Sequence, residues 1–196
     1  MHAHNQEMHV FWSGPHSWPK FESATGLPPL PRHSGVYLLT FEHRDGYLVY
    51  VAGITRQVFR KRFMQHTREY MAGRYNILDP VQAQNGVRSE VWHGWGEARK
   101  PERRAEWETR KAELQDAARR ELAEFRLFGA DVELQKRVPE RLEAAIMIHL
   151  YAAPAPFCDV PDKGMFLAPR LPSEEPITVL NACTSRLHCL PERLSI

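Results

Sequence analysis

GVYLLTFEHRDGYLVYVAG, residues 35–53, consists of two runs of β-branched, aromatic and aliphatic residues separated by a polar break. Asp45-Gly46 within that break is a strong two-residue turn signal, because both positions tolerate the positive φ angles that tight hairpins require. The stretch is therefore expected to form an antiparallel hairpin, with strands at about 35–42 and 47–53. Everything on either side is read relative to this hairpin.

Downstream, TRQVFRKRFMQHTREYMAG has helical periodicity, with Phe59, Phe63, His66 and Tyr70 on one face. Thr55 is expected as its N-cap and Gly73 as the residue that ends it. RSEVWHGW reads as a short strand, and 97–124 as a long charged helix turning Trp107, Leu114 and Leu122 inward. FRLFGADVE reads as a further strand, and Pro139 suits the first turn of the helix that follows.

Upstream, residues 1–34 carry FWSGPHSWPKF and GLPPLPRHSG, and this density of Pro, Gly and Trp predicts an irregular arm laid on the domain. The expected organisation is thus an arm at 1–34, a core at 35–151 with the charged helix as an insertion, and a Pro-rich extension at 152–196 packed on the core. The expected fold class is α+β, a small antiparallel sheet flanked by helices.

The helical stretch RLEAAIMIHLY, residues 141–151, raises a chemical question. At about 100° per residue, Glu143, Ile146, Met147 and Leu150 share one face. A carboxylate turned toward an interior costs several kcal/mol unless a cation meets it, so Glu143 calls for one. An ion pair with Arg62 would answer.

Bulk properties exclude several classes. At 43% hydrophobic and 26% charged, the 196 residues have the balance of a soluble globular chain. No apolar run approaches the ~20 residues of a membrane span. The opening MHAHNQEMHVFW lacks the basic and apolar regions of a signal peptide, so a cytoplasmic location is expected. Cys158, Cys183 and Cys189 lack the paired C-x-x-C spacing of zinc sites and read as ordinary thiols. Net charge is only +2, but its distribution is uneven: Arg56, Arg60, Lys61, Arg62, Arg68 and Arg74 face a single acid, Glu69, within one helix length. That cluster reads as a solvated helix face or as a phosphate-facing patch.

The ordered set of Gly35-Val36-Tyr37, Tyr50-Val51-Ala52-Gly53, Thr55, Phe59, Arg62, His66 and a distant helical Glu143 resembles the GIY-YIG nuclease family. The resemblance spans residues 34–151 and implies a metal-dependent endonuclease acting on DNA, with RNA left open. It implies Glu143 as the single protein ligand of Mg²⁺ or Mn²⁺ and Arg62 as the phosphate binder. Tyr37 and Tyr50 would handle the attacking water, and His66 would assist proton transfer. Arg56, Arg60 and Lys61 would line the nucleic-acid backbone. Asn181 is a weaker candidate for the asparagine that often joins such sites. A homodimer would suit double-strand cutting, and no membrane partner is implied.

One departure matters. Tyr50 stands three positions before Gly53, where the family pattern has two, and one extra residue in a strand turns a side chain to the other face. A bulge near Ala52 would restore its direction. The alternatives are a packing tyrosine at 50, a satisfied core histidine at 66, and a catalytically silent nucleic-acid- or partner-binding module on the same fold.

Overall fold

The computed structural model describes residues 6–135 and 137–196. Its strands are β1 (Gln6–Ser17), β2 (Gly35–His43), β3 (Gly46–Thr55), β4 (Ile77–Leu78), β5 (Glu90–Trp92), β6 (Arg126–Ala130), β7 (Ile177–Cys183), β8 (Arg186–His188) and β9 (Arg193–Ser195). The helices are α1 (Glu22–Thr25), α2 (Phe59–Met71), α3 (Pro80–Gln84), α4 (Pro101–Glu124) and α5 (Val138–Tyr151), with a 3₁₀ turn at Phe157–Asp159.

The expected fold class is corrected. In place of a small antiparallel sheet stands a seven-stranded mixed sheet of order β8-β3-β2-β6-β1-β7-β9, curled into a half-barrel, beside a two-stranded sheet of β4 and β5. Two pairings, β1 with β7 and β3 with β8, are parallel. The reason lies in the two ends of the chain. The expected irregular arm supplies β1, which pairs with β6 on one side and β7 on the other. Its alternation of buried Val10 and Trp12 with exposed Phe11 is a strand pattern, interrupted at Gly14-Pro15, where the register with β6 shifts. The C-terminal extension adds β7, β8 and β9 to the same sheet.

The hairpin forms as β2 and β3, with Gly35 opposite Thr55 and His43 opposite Gly46. Its register jumps from Leu39–Val51 to Thr40–Val49, so the unpaired bulge residue is Tyr50 itself. One apolar layer, containing Tyr37, Tyr50, Phe59, Phe63 and Leu114, lies under α2 and α4. The other, containing Val36, Leu38, Ala52, Leu142, Ile146 and Met147, lies under α5. Trp107, Leu114 and Leu122 are buried on α4, joined by a fully buried acid, Glu121.

At the two ends of α2, one local detail differs from the expected one and the other agrees. Thr55 does not cap α2; its hydroxyl bonds Gln57 across the loop, accepting from that residue's amide at 3.1 Å, and Val58 stands before the first turn. Gly73 closes α2 with φ +68°, and a Cβ there would overlap the Trp107 ring. The region is left-handed and crowded, so glycine is required on both grounds.

Candidate active site

Tyr37 is fixed from three directions. It sits on β2, directly across from Gly53 on β3. A Cβ at position 53 would overlap the Tyr37 ring and hydroxyl, so the glycine makes the room the phenol occupies. The ring then packs edge-on against Phe63 at 4.9 Å and Phe59 at 6.3 Å, both from the buried face of α2.

The same helix face delivers His66, four residues after Arg62 and thus one turn along. The Tyr37 hydroxyl and His66 Nε2 are 2.9 Å apart, and His66 Nδ1 lies 3.0 Å from the hydroxyl of Tyr75. A neutral imidazole donates from one nitrogen and accepts at the other, so one phenol gives a proton to the ring and the ring gives one to the second phenol. The result is a hydrogen-bonded chain from buried Tyr37 to half-buried Tyr75.

Burial sets the protonation of this chain. It pushes the Tyr37 phenol up to about 12, against the opposing pull of the Arg62 guanidinium, with the Glu143 carboxylate adding to the rise. Burial pulls His66 down to about 3, and the Arg62 charge lowers it further. Tyr75 is raised by the same desolvation. At neutral pH the chain therefore holds its protons on the phenols and a neutral ring.

Glu143 comes from the opposite layer. Helix α5 packs on β3, close enough that the Ala52 amide meets Met147 Sδ at 3.2 Å. Burial pushes the Glu143 carboxyl up to about 7, and Glu140 one turn earlier pushes the same way. The Arg62 charge and the Ile54 amide pull it back. No ion pair reaches Glu143 among the described residues, so the Arg62–Glu143 salt bridge that sequence allowed is not formed. Arg62 itself has a buried Nε without a hydrogen-bond partner among the described residues.

Thus the Arg62 charge acts on the ionisation of Tyr37, His66 and Glu143, and Glu143 acts on that of Tyr37, although Glu143 belongs to a helix on the other face of the sheet. Tyr50 is not among them. The bulge does turn it to the Tyr37 layer, but there it packs against Phe41 at 5.7 Å and Phe125 at 5.8 Å, 1% exposed, with no hydrogen-bond partner for its hydroxyl among the described residues. Burial first, then Asp162, Tyr70 and Glu121, raise its phenol.

Asn181 is also elsewhere. Its side-chain oxygen accepts from Trp12 Nε1 at 3.0 Å, and its amide nitrogen donates to the Pro191 carbonyl at 2.9 Å, a role in joining β1 to the C-terminal strands. Of the three backbone-lining candidates, Arg56 pairs with Glu140 at 2.9 Å and Arg60 with Glu22 at 3.0 Å. Lys61 is exposed and makes no ion pair among the described residues.

Sequence reasoning missed Tyr75, since no periodicity marks a tyrosine in the loop after α2. It also passed over Glu140, whose spacing of three from Glu143 on one helix was a readable signal.

Among the described residues no cluster of three or more His, Cys, Asp or Glu side chains could hold a metal ion, and the three cysteines are free thiols. A hard divalent cation does not need such a cluster, because Mg²⁺ keeps most of its waters and accepts one or two carboxylates. Glu143, short of positive charge and backed by Glu140, fits that requirement. No helix in the described residues is long and apolar enough to cross a membrane. Compared with protein-family models, the chain matches none; no curated protein and no solved structure matches it either.

Proposed function

We propose that the protein is a metal-dependent nuclease of the GIY-YIG type that hydrolyses phosphodiester bonds in DNA. The observation that carries this reading is the Tyr37–His66–Tyr75 hydrogen-bonded chain set beside Arg62 and a carboxyl, Glu143, that forms no ion pair among the described residues. Packing alone gives no reason for a buried phenol, a neutral imidazole, a guanidinium and an uncompensated acid to meet.

Each group has a task the chemistry requires. A divalent cation held by Glu143, Mg²⁺ or Mn²⁺, would neutralise charge at the scissile phosphate. Arg62 offers a planar fork to the non-bridging phosphate oxygens. Tyr37 orients the attacking water. As the water oxygen bonds to phosphorus, its proton passes to the Tyr37 oxygen, the phenol proton to His66 Nε2, and the ring's Nδ1 proton to Tyr75. Tyr75 then releases a proton to solvent, and no tyrosinate has to exist beforehand. The strand's departing oxygen leaves with the bond electrons and takes its proton from water. Lys61 and the weakly paired Arg56 and Arg60 would steer the backbone, since exposed ion pairs exchange readily for phosphate.

Incubating plasmid with the protein and Mg²⁺ tests this directly. Nicking or linearisation is expected, lost with EDTA and reduced about 100-fold or more in Glu143→Ala or Arg62→Ala. Binding without cutting, unaffected by EDTA or by Glu143→Ala, would instead identify a silent module on this fold.

A further inference from the structure

Beside the site runs an open groove of about 1190 Å³ between the end of α2, the loop after β5 and the first turns of α4. We infer that this groove binds a single-stranded stretch of nucleic acid, with one base stacked on Trp95 and the flanking phosphates on Arg99 and Arg104.

Trp95 is the only tryptophan among the described residues counted as exposed, at 39%, whereas Trp92 and Trp107 are buried in the groove floor. Trp92 is committed already: its indole nitrogen donates to the Gly73 carbonyl at 2.8 Å, and Arg103 lies 4.9 Å over its ring. Trp95 makes no side-chain hydrogen bond or cation–π contact among the described residues. The loop beneath it is fixed, because Asn76 Oδ1 accepts from both the Gly94 and Trp95 amides at 3.0 Å, and Asn76 in turn donates to Asp162 at 2.8 Å. An aromatic plate held in place loses little entropy when a ligand covers it.

Five basic side chains line the groove against two acidic ones. Arg74 and Lys111 are paired with those acids, Glu69 and Glu108, while Arg99 and Arg104 are exposed and form no ion pair among the described residues. A basic channel with an aromatic plate is the arrangement that holds unpaired bases, since a duplex hides its base faces in the stack. The groove also leads to the chemistry. Trp95 packs against Tyr75 at 5.6 Å, and Tyr75 ends the chain that begins at Tyr37. A strand lying here is aimed at that site.

This inference deepens the nuclease reading, but it is read out by binding in EDTA, so either can fail without the other. Anisotropy of labelled dT15, rU15 and the dT15·dA15 duplex is the measurement. The parent protein is expected to bind a single strand, of DNA or RNA, more tightly than the duplex. Trp95→Ala is expected to weaken that binding about tenfold, the order of one lost base–aromatic stack, whereas Trp95→Phe keeps it within about threefold. Arg99→Gln with Arg104→Gln should lower both affinity and its salt dependence. Melting temperatures of the Trp95 variants close to the parent's confirm that folding is intact. Preference for duplex, or single-strand affinity unchanged in Trp95→Ala, overturns the assignment.

Discussion

Glu143 is a partly buried acid whose ionisation the fold opposes. Its carboxyl is raised from an ordinary 4.5 to about 7 in the folded protein, chiefly by desolvation. As pH rises from 4.5, the unfolded chain ionises first, so this residue's contribution to folding stability is intact below 4.5 and lost by about pH 7. Glu143→Gln removes the ionisation. In EDTA, thermal melts of this variant and the parent are expected to coincide near pH 4, with the variant melting higher at pH 8. Equal melting at both values would show that Glu143 carries no uncompensated charge. A residue whose removal stabilises the fold is one retained for another purpose.

At the scale of elements, the β3 bulge decides which tyrosine belongs to the site. By taking up one residue at position 50, it leaves Gly53 opposite Tyr37 and sends the Tyr50 ring between Phe41 and Phe125. The Tyr50 hydroxyl is buried without a hydrogen-bond partner among the described residues, so Tyr50→Phe is expected to leave cleavage within about twofold and stability unchanged or slightly higher. Tyr37→Phe should behave oppositely, with cleavage falling about 100-fold as the hydrogen bond to His66 is lost. Plasmid cleavage by the two variants side by side checks both expectations. If Tyr50→Phe were the more damaging, the site would have to be redrawn around the bulge.

For the whole molecule, the sheet is completed by its two ends. β1 is held on both edges, and Trp12, fully buried, ties it to Asn181. Arg141 of α5 donates to the Ile196 carbonyl at 2.6 Å and to that of Glu175 at 2.7 Å, anchoring the C-terminal strands to the helix that carries Glu143. Trp12→Ala is therefore expected to cost about 3–5 kcal/mol, the range for emptying a large core site, as read by urea unfolding. A cost under 1 kcal/mol would mean that β1 lies on the domain as a loose arm.

The sequence by itself determined the local elements: the hairpin at Asp45-Gly46, the aromatic face of α2, the inward face of α4 and the ambiguous acid on α5. Each follows from periodicity or turn chemistry within a few residues, whereas Tyr37, Arg62, His66 and Glu143 were brought together as candidates by the resemblance to the GIY-YIG pattern. The tertiary structure alone decided that residues 6–17 and 177–195 join one mixed sheet, that Tyr50 is core, that Tyr75 completes the chain through His66, and that Trp95 faces an open groove. Strand pairing across more than a hundred residues and hydrogen bonds between distant loops leave no trace in local spacing. They are set by which edges and cavities the folded chain brings together.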